Sequence, residues 1–339
     1  MNKLIVLVIL ITTAFACNNV PKQVEKPGFG ENTVSLILLN KLILKDSLNP
    51  KHFANRAELL LKLGKIDPAL RDLQAALKLT PNDPKLFLIL SDIYFVLGQS
   101  DNSIGSLKKS IRLNPKDETP YLKLSETYLL LNKPNTAIQY ADEAININRK
   151  NAESYYIKAM ALLENKDTSE AILNLGISSN LDAENYMTYM QLGAIYTKQN
   201  DTLSRVNFEK ALDIVPNDER ALYYLGMYYQ EHSDFNKAIE IYTTLYNQYP
   251  DNKRVYYNLG YIYLVEVGDY DNAKTMFQEA IKISPKYVEA VYNLGRTLEV
   301  MGDFKGAREQ YKKALELLPN YPLAVQGMNR IDDRLINGN

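Results

Sequence analysis

The sequence predicts an all-α solenoid of about eight helix-turn-helix units, from a proline period, a helical apolar pattern and a recurring set of small residues. Steps of 34 or 35 residues separate most of the prolines that mark the period: Pro81, Pro115, Pro216, Pro250, Pro285 and Pro319. Within each step, apolar residues follow helical spacing in two segments, and a short polar turn separates them. Such self-similarity is typical of repeat arrays, in which each unit buries its apolar face against its neighbours.

Small residues mark the places where paired helices would come closest, because antiparallel helices approach tightly only where side chains are small. One position of the first helix is Gly, Ala or Ser in every unit: Ala57, Ser91, Ser125, Ala159, Gly193, Gly226, Gly260 and Gly295. The start of the second helix repeats the pattern at Ala69, Ser103, Ala137, Ala171, Ser204, Ala238, Ala273 and Ala307. We therefore expect eight units over residues 50–319, beginning near Pro50, Pro84, Glu118, Ala152, Tyr186, Glu219, Lys253 and Val288.

This pattern resembles the tetratricopeptide-repeat (TPR) family, whose units are 34-residue helix-turn-helix modules. Tyr121, Tyr155 and Tyr189 stand where that family often has Trp or Tyr. The resemblance implies a right-handed superhelical solenoid whose inner wall is made by the first helices. Two units depart from the period, since the one near 186 lacks a residue in its inter-helix turn and the one near 253 gains a residue around Gly268. We expect loops to absorb both changes.

The two ends of the array carry segments that can cover its terminal apolar faces. Residues 33–49 contain an apolar helix that we interpret as an N-terminal cap. Residues 320–339 predict a C-terminal solvating helix, and a docking helix for a partner is the alternative. Its apolar side is predicted to contain Leu323, Val325, Met328, Ile331 and Leu335.

Residues 1–16 predict a signal peptide of the lipoprotein type, cleaved before Cys17. Lys3 precedes an apolar stretch that is too short to span a bilayer, which needs ~20 apolar residues. The Ala-Phe-Ala-Cys sequence that ends at Cys17 resembles a bacterial lipobox, and Cys17 is the only cysteine of the chain. The alternative is ordinary cleavage after Ala16, which leaves no lipid. Residues 17–32, with two Pro and two Gly, predict a flexible tether.

The composition argues against several classes of function. Lys and Arg total 39 and Asp and Glu total 40, so the chain has no basic excess for binding nucleic acid. With two histidines and one cysteine, neither a metal site nor a Ser–His or Cys–His nucleophile is expected. Because no phosphate-binding Gly-rich loop is present either, we predict no enzyme activity and no cofactor.

The family resemblance also indicates where a partner would bind, since inner-wall positions recur in each first helix. Asp92, Phe95 and Glu126 occupy such positions, but Tyr and Met dominate the middle of the array. Aromatic side chains and Met are enriched in interface cores. The predicted partner-binding groove therefore consists of Tyr156, Met160, Met187, Met190, Tyr223, Met227, Tyr257, Tyr261 and Tyr292. The alternative is that these side chains only pack between neighbouring first helices.

Together these features predict a lipid-anchored scaffold that binds peptide segments of other proteins at the bacterial cell envelope, on the outer-membrane or periplasmic side. TPR lipoproteins that it resembles serve pilus or secretin assembly, outer-membrane protein insertion and peptidoglycan machinery. A carrier or sensor that holds a peptide or small ligand without a fixed complex is the alternative. If Cys17 is not lipidated, the protein would instead be a secreted or periplasmic soluble scaffold.

Overall fold

The computed structural model describes residues 29–337, and their side chains from 34 to 334. In that part of the chain the regular elements are eighteen α-helices and one π-helical turn, without a β-strand. The described helices belong to two compact units, which are divided between Leu192 and Gly193. The all-α repeat fold that the sequence predicts is confirmed. The predicted signal peptide, the lipidation site at Cys17 and the tether up to residue 28 lie outside the described residues.

The N-terminal unit contains one leading helix and four helix pairs, numbered in chain order. They are α1 (Phe29–Lys45), α2 (Pro50–Lys62), α3 (Ile66–Leu79), α4 (Pro84–Val96), α5 (Ser100–Leu113), α6 (Thr119–Leu130), α7 (Pro134–Ile147), α8 (Ala152–Glu164) and α9 (Thr168–Leu181). Helix α10 (Tyr186–Lys198) contains the boundary between the two units.

The C-terminal unit continues with the partner of α10, three more pairs and a final helix. They are α11 (Leu203–Ile214), α12 (Glu219–Glu231), α13 (Phe235–Gln248), α14 (Lys253–Ile262), the π-helical turn Tyr263–Val267, α15 (Tyr270–Ile283), α16 (Val288–Val300), α17 (Phe304–Leu317) and α18 (Pro322–Asn337). The even-numbered helices from α2 to α16 are the first helices of the eight units, and the odd-numbered helices from α3 to α17 are the second helices.

The first helices begin at the predicted unit starts, except α6, which begins one residue later at Thr119. Side-chain capping fixes the start of most of these eight helices. Asp83 accepts a hydrogen bond from the Lys85 N–H at 2.9 Å, and Pro84 occupies a first-turn position where no N–H is needed. Most second helices end two residues before the repeating proline, which cannot continue a helix.

Each inter-helix turn contains one residue with left-handed backbone, with φ between 53° and 82°. This conformation reverses the chain after the first helix, as in the Lys65 N–H bond to the Leu60 carbonyl at 2.8 Å. Between the two helices of each unit these residues are Gly64, Gly98, Asn132, Lys166, Asn200, Ser233, Gly268 and Gly302, and Asn217 and Asn320 adopt the same conformation after a second helix.

The small residues that the sequence singled out are all buried where the paired helices meet. In the C-terminal unit, glycine on the first helix faces an aromatic ring from the second helix. A Cβ atom added to Gly226 would lie 2.5 Å from the Tyr242 ring, and one added to Gly260 would lie 2.8 Å from the Phe277 ring. Gly193 with Phe208 and Gly295 with Tyr311 form the same pairs.

The N-terminal unit has a different combination at the same two positions. Its first helices carry Ala or Ser, and its second helices carry Leu or Ala, as at Ala57 with Leu73 and at Ser91 with Leu107. In three of these four pairs a small residue on the first helix thus accompanies Leu on the second, and Ser125 with Ala141 is the exception.

Three details of the sequence prediction are corrected by the structure. The extra residue near 253 is not absorbed by a loop, because the end of the first helix widens into the π-helical turn Tyr263–Val267 before Gly268. A π-turn accommodates one added residue while the helix keeps its hydrogen bonds. The N-terminal capping helix begins at Phe29, so residues 29–32 are helical although they were predicted to belong to the tether.

The third correction concerns the C-terminal helix. Its buried face contains Ala324, Gly327 and Ile331, whereas Leu323 and Val325 are exposed. Residues 324, 327, 328 and 331 follow helical spacing, and 323 and 325 flank that stripe. Gly327 permits this packing, since a Cβ atom there would lie 2.6 Å from the Tyr311 ring.

Candidate functional site

All nine residues of the predicted groove lie on first helices, at the same few positions of successive units. Seven of them are half-buried: Tyr156, Met160, Met187, Tyr223, Met227, Tyr257 and Tyr261. Met190 is 7% exposed and Tyr292 is 8% exposed, so both belong to the core rather than to an open surface. The residues from 156 to 190 belong to the N-terminal unit, and those from 223 to 292 belong to the C-terminal unit.

In the C-terminal unit, a tyrosine at the fifth position of a first helix leans on the aromatic ring of its paired second helix. The ring centroids are 6.3 Å apart for Tyr223 and Tyr242, and 5.9 Å apart for Tyr257 and Phe277. These are favourable separations for tilted and edge-to-face aromatic pairs. The glycine of each first helix lets the ring of the second helix, Tyr242 or Phe277, come close. That ring in turn positions the fifth-position tyrosine, Tyr223 or Tyr257.

Tyr292 repeats this contact but is covered from a second direction. Its ring lies 5.7 Å from the Tyr311 ring and 5.5 Å from the Tyr321 ring, which follows α17. The Tyr292 ring is therefore covered by two other rings. The alternative of pure packing, which the sequence left open, describes Tyr292 and Met190 better than a binding role does.

Polar side chains hold the tyrosine hydroxyl groups between consecutive repeats. Asn258 donates to the Tyr242 hydroxyl at 3.0 Å, and that hydroxyl donates to Gln230 Oε1 at 3.2 Å. Asn293, which is buried, donates to the Tyr257 hydroxyl at 3.2 Å. The sequence pattern did not reveal this ladder of amides and hydroxyls, although both Asn residues recur within Asn-Leu-Gly triplets.

Burial keeps these hydroxyl groups protonated. It raises the pKa of Tyr242 and of Tyr257, and the Asn258 and Asn293 amides oppose that effect only in part. Neutral hydroxyls with fixed partners orient the rings in one direction. The surface that consists of Tyr223, Met227, Tyr257 and Tyr261 is here called the tyrosine wall. Ring contacts preorganise it at Tyr223 and Tyr257, and Met227 makes it adaptable.

The C-terminal edge of this unit carries a charged network that the sequence did not predict. Tyr311 donates to Glu299 at 2.6 Å, and Arg330 donates to both carboxylate oxygens of Glu299 at 3.1 and 3.0 Å. Burial opposes ionisation of Glu299, but these donors outweigh it and lower its pKa. The network fixes α18 against the last helix pair.

In the N-terminal unit, Tyr156 packs beside the core of Leu122, Ala144 and Ile157. Two concavities of this unit lie elsewhere, along α2, α4 and α6. A cavity of about 150 Å³ is bordered by Asp92, Phe95, Lys123 and Glu126, among others. A shallower one of about 470 Å³ adjoins it and also borders Asp92 and Phe95. The sequence analysis placed Asp92, Phe95 and Glu126 at inner-wall positions of the first helices without assigning them a role.

Within residues 29–337, no set of three or more His, Cys, Asp or Glu residues is placed to hold a metal ion. No helix of that same region is long and apolar enough to cross a membrane.

Four family models described as tetratricopeptide repeats match the sequence. They cover residues 55–118, 119–151, 220–252 and 264–331. These matches fall on the helix pairs of both units. A search of curated proteins finds no match.

Solved structures with a similar fold include the C-terminal part of a TPR repeat-containing protein from Cytophaga hutchinsonii. It is 18% identical, with a TM-score of 0.62, and the match covers 70% of this chain and 98% of that one. PilF of Pseudomonas aeruginosa is 13% identical, with a TM-score of 0.54, and the match covers 59% of this chain and 92% of that one. At these identities the similarity establishes the fold alone.

Proposed function

Since the chain belongs to the tetratricopeptide-repeat family, we propose that it is a membrane-anchored scaffold that joins the proteins of a bacterial envelope assembly. Repeats of this family build protein–protein interaction scaffolds, and generally not enzymes. In this proposal, peptide segments of partner proteins bind against the tyrosine wall of the C-terminal unit.

The observation that carries the proposal is the burial pattern of the tyrosine wall. Its four residues keep part of their surface open, and the rings of Tyr223 and Tyr257 rest on the buried rings of Tyr242 and Phe277. Exposed apolar surface of this kind is unfavourable in water, and a bound partner would cover it. Because the rings are already oriented, a peptide would order few side chains of the scaffold on binding.

The roles of the individual residues follow from their contacts. Tyr223 and Tyr257 present fixed ring faces, and Tyr261, on the same helix as Tyr257, extends the apolar surface by one helical turn. Met227 adapts to irregular side chains of the partner. Tyr292 and Met190 are each buried in the core of their own unit, so they are not direct contacts in the proposal.

The experiment compares proteins that co-purify with the wild-type chain from detergent-solubilised membranes after light crosslinking. The test variant replaces Tyr223, Tyr257 and Tyr261 with Leu, which keeps apolar volume under the neighbouring rings and removes the aromatic faces. A matched control replaces Tyr249 and Tyr270 with Leu, since neither belongs to the wall. We expect a small set of envelope proteins with the wild type and the control, and their loss with the test variant.

Two outcomes would contradict the proposal. If no protein co-purifies with the wild-type chain in stoichiometric amount, the carrier or sensor alternative replaces the scaffold. If the test variant recovers the same proteins while its melting temperature falls, the wall contributes packing only.

The membrane anchor in the proposal is a lipid on Cys17, supported by the lipobox-like sequence that precedes it. Labelling with a radioactive fatty acid tests it separately from partner binding. Wild type should incorporate label and fractionate with membranes, and the Cys17→Ala variant should do neither. Unlabelled wild-type protein in the soluble fraction would replace the anchored scaffold with a soluble one.

A further inference from the structure

A groove runs along the first helices α2, α4 and α6 of the N-terminal unit. The two concavities of about 150 and 470 Å³ meet at Asp92 and Phe95, which line both. Leu107 and Leu130 are apolar residues that line the smaller cavity, and Leu61 and Val96 line the larger one. The smaller cavity exceeds the space of a single water several-fold, so a side chain can enter it.

The charges at the mouth of the smaller cavity do not balance. Lys123 Nζ lies 2.7 Å from Asp92 Oδ1, so these two neutralise each other. Within the described residues, Glu126 forms neither a hydrogen bond nor an ion pair, although it lines the same cavity. Glu58, one repeat before Asp92, and Lys62 both border the larger cavity.

The surroundings of Glu126 disfavour its charge. Burial is the largest cause, Glu153 of α8 and Asp92 of α4 add to it, and Lys123 opposes it, so the pKa of Glu126 is raised to about 7. A cation placed beside Glu126 would favour the ionised form and release a proton. An anion at the same place would add to the repulsion from Asp92 and Glu153.

We propose that this groove binds a basic peptide segment, with a Lys or Arg side chain in the smaller cavity against Glu126 and a neighbouring apolar side chain on Phe95. Charge complementarity selects the basic residue, and the Leu and Phe lining selects its apolar neighbour. The inference rests on the proposed function only in taking a peptide as the ligand. It concerns other residues, in the other unit.

The test is calorimetric titration of the full mature chain with a short model peptide of Leu and Lys. Two matched peptides carry Glu or norleucine in place of Lys. We expect the Lys peptide to bind at least about tenfold more tightly than either, because a charge-assisted contact is at stake. Its affinity should rise between about pH 6 and about pH 8, as Glu126 loses its proton.

Glu126→Gln keeps the shape of the side chain and removes a charge that burial disfavours, so this variant is expected to fold. It should lower affinity for the Lys peptide about tenfold and abolish the pH dependence. Asp92→Asn is a second variant, which frees Lys123 to repel the ligand and should also weaken binding. Glu143→Gln, on an exposed carboxylate of α7 outside the groove, is the control and should bind as wild type.

Several results would overturn the inference. Equal affinity for the Glu peptide, or unchanged binding by Glu126→Gln, would mean that the carboxylate recognises no cation. Binding that is lost in the Leu variant of the tyrosine wall and kept in Glu126→Gln would place the peptide in the C-terminal unit, and only the proposed function would survive. Self-association that depends on Glu126, with no affinity for the peptide, would assign the groove to a second copy of the chain.

Discussion

The packing of glycine against an inner ring predicts an unusual response to a small substitution. Glycine within a helix normally costs about 1 kcal/mol relative to alanine, so Gly→Ala usually stabilises. At Gly226 the added Cβ atom would lie 2.5 Å from Cε1, 2.9 Å from Cδ1 and 3.0 Å from Cζ of Tyr242. Either the backbone of α12 at residue 226 or the Tyr242 ring must therefore move.

The Tyr242 ring has little freedom to move. It is fully buried, and its hydroxyl is held by Gln230 and by Asn258. Overpacking of a fixed core costs about 1–3 kcal/mol, and the fixed ring favours the upper part of that range. After subtraction of the helix-propensity gain, we expect Gly226→Ala to destabilise the C-terminal unit by about 1–2 kcal/mol.

The chain provides both a control and a rescue. Gly105, in the middle of α5, has no atom within 4 Å of its added Cβ, so Gly105→Ala should stabilise by about 0.5–1 kcal/mol. Adding Tyr242→Leu to Gly226→Ala recreates the Ala–Leu combination of Ala57 and Leu73. The double variant should therefore lose less stability than the two single changes predict together, by about 1 kcal/mol or more.

The assay is urea unfolding of the full chain, combined with amide hydrogen exchange over α12 and α13. Hydrogen exchange locates the effect, because repeat arrays open region by region. If Gly226→Ala raises stability as Gly105→Ala does, or if the two changes are additive, then the ring does not require the glycine and the packing argument is refuted.

Three further predictions concern charged groups. Arg56→Met should cost about 2–3 kcal/mol in urea unfolding, because it leaves the buried Asp72 carboxylate without its donors at 2.6 and 2.7 Å; no change would contradict this. Arg330→Met should cost about 1 kcal/mol at about pH 7 and speed exchange in α18. The pKa of Glu299 is lowered in the folded state, so this cost should vanish as acid protonates Glu299, and a cost equal at both pH values would argue against the ion pair. For Glu126 the folded pKa is raised from 4.5 to about 7, so its charge destabilises the fold increasingly as pH rises through that interval. Glu126→Gln should thus stabilise by about 1–3 kcal/mol at about pH 8 and by nothing at about pH 4, and a gain independent of pH would exclude this cause.

The repeat period allowed the sequence to predict the fold and most helix boundaries, because the same small residues and turns recur in every unit. A single insertion was harder to place, since the period locates the extra residue near Gly268 without showing whether a turn or a helix takes it up. The π-helical turn is a property of backbone hydrogen bonding, which no residue type in Tyr263–Val267 reveals.

The candidate site was only partly predictable. Helical register placed the Tyr and Met residues on the first helices, but their exposure depends on partners distant in sequence, as Tyr321 covers Tyr292. The same holds for Asn293, whose amide lies against the hydroxyl of Tyr257 from the preceding repeat. Glu126 carries no motif, and only the neighbouring helices show that its half-buried carboxylate lines a cavity close to Asp92 and Glu153.

Site-specific photocrosslinking in the native cell tests the central claim, partner binding at the tyrosine wall, most directly. A photoreactive phenylalanine analogue replaces Tyr261 in one chain and the exposed Gln278 of α15 in another. We expect the analogue at position 261 to crosslink discrete proteins that the analogue at position 278 does not crosslink. Equal patterns from both positions, or crosslinks from position 278 alone, would contradict binding at the wall.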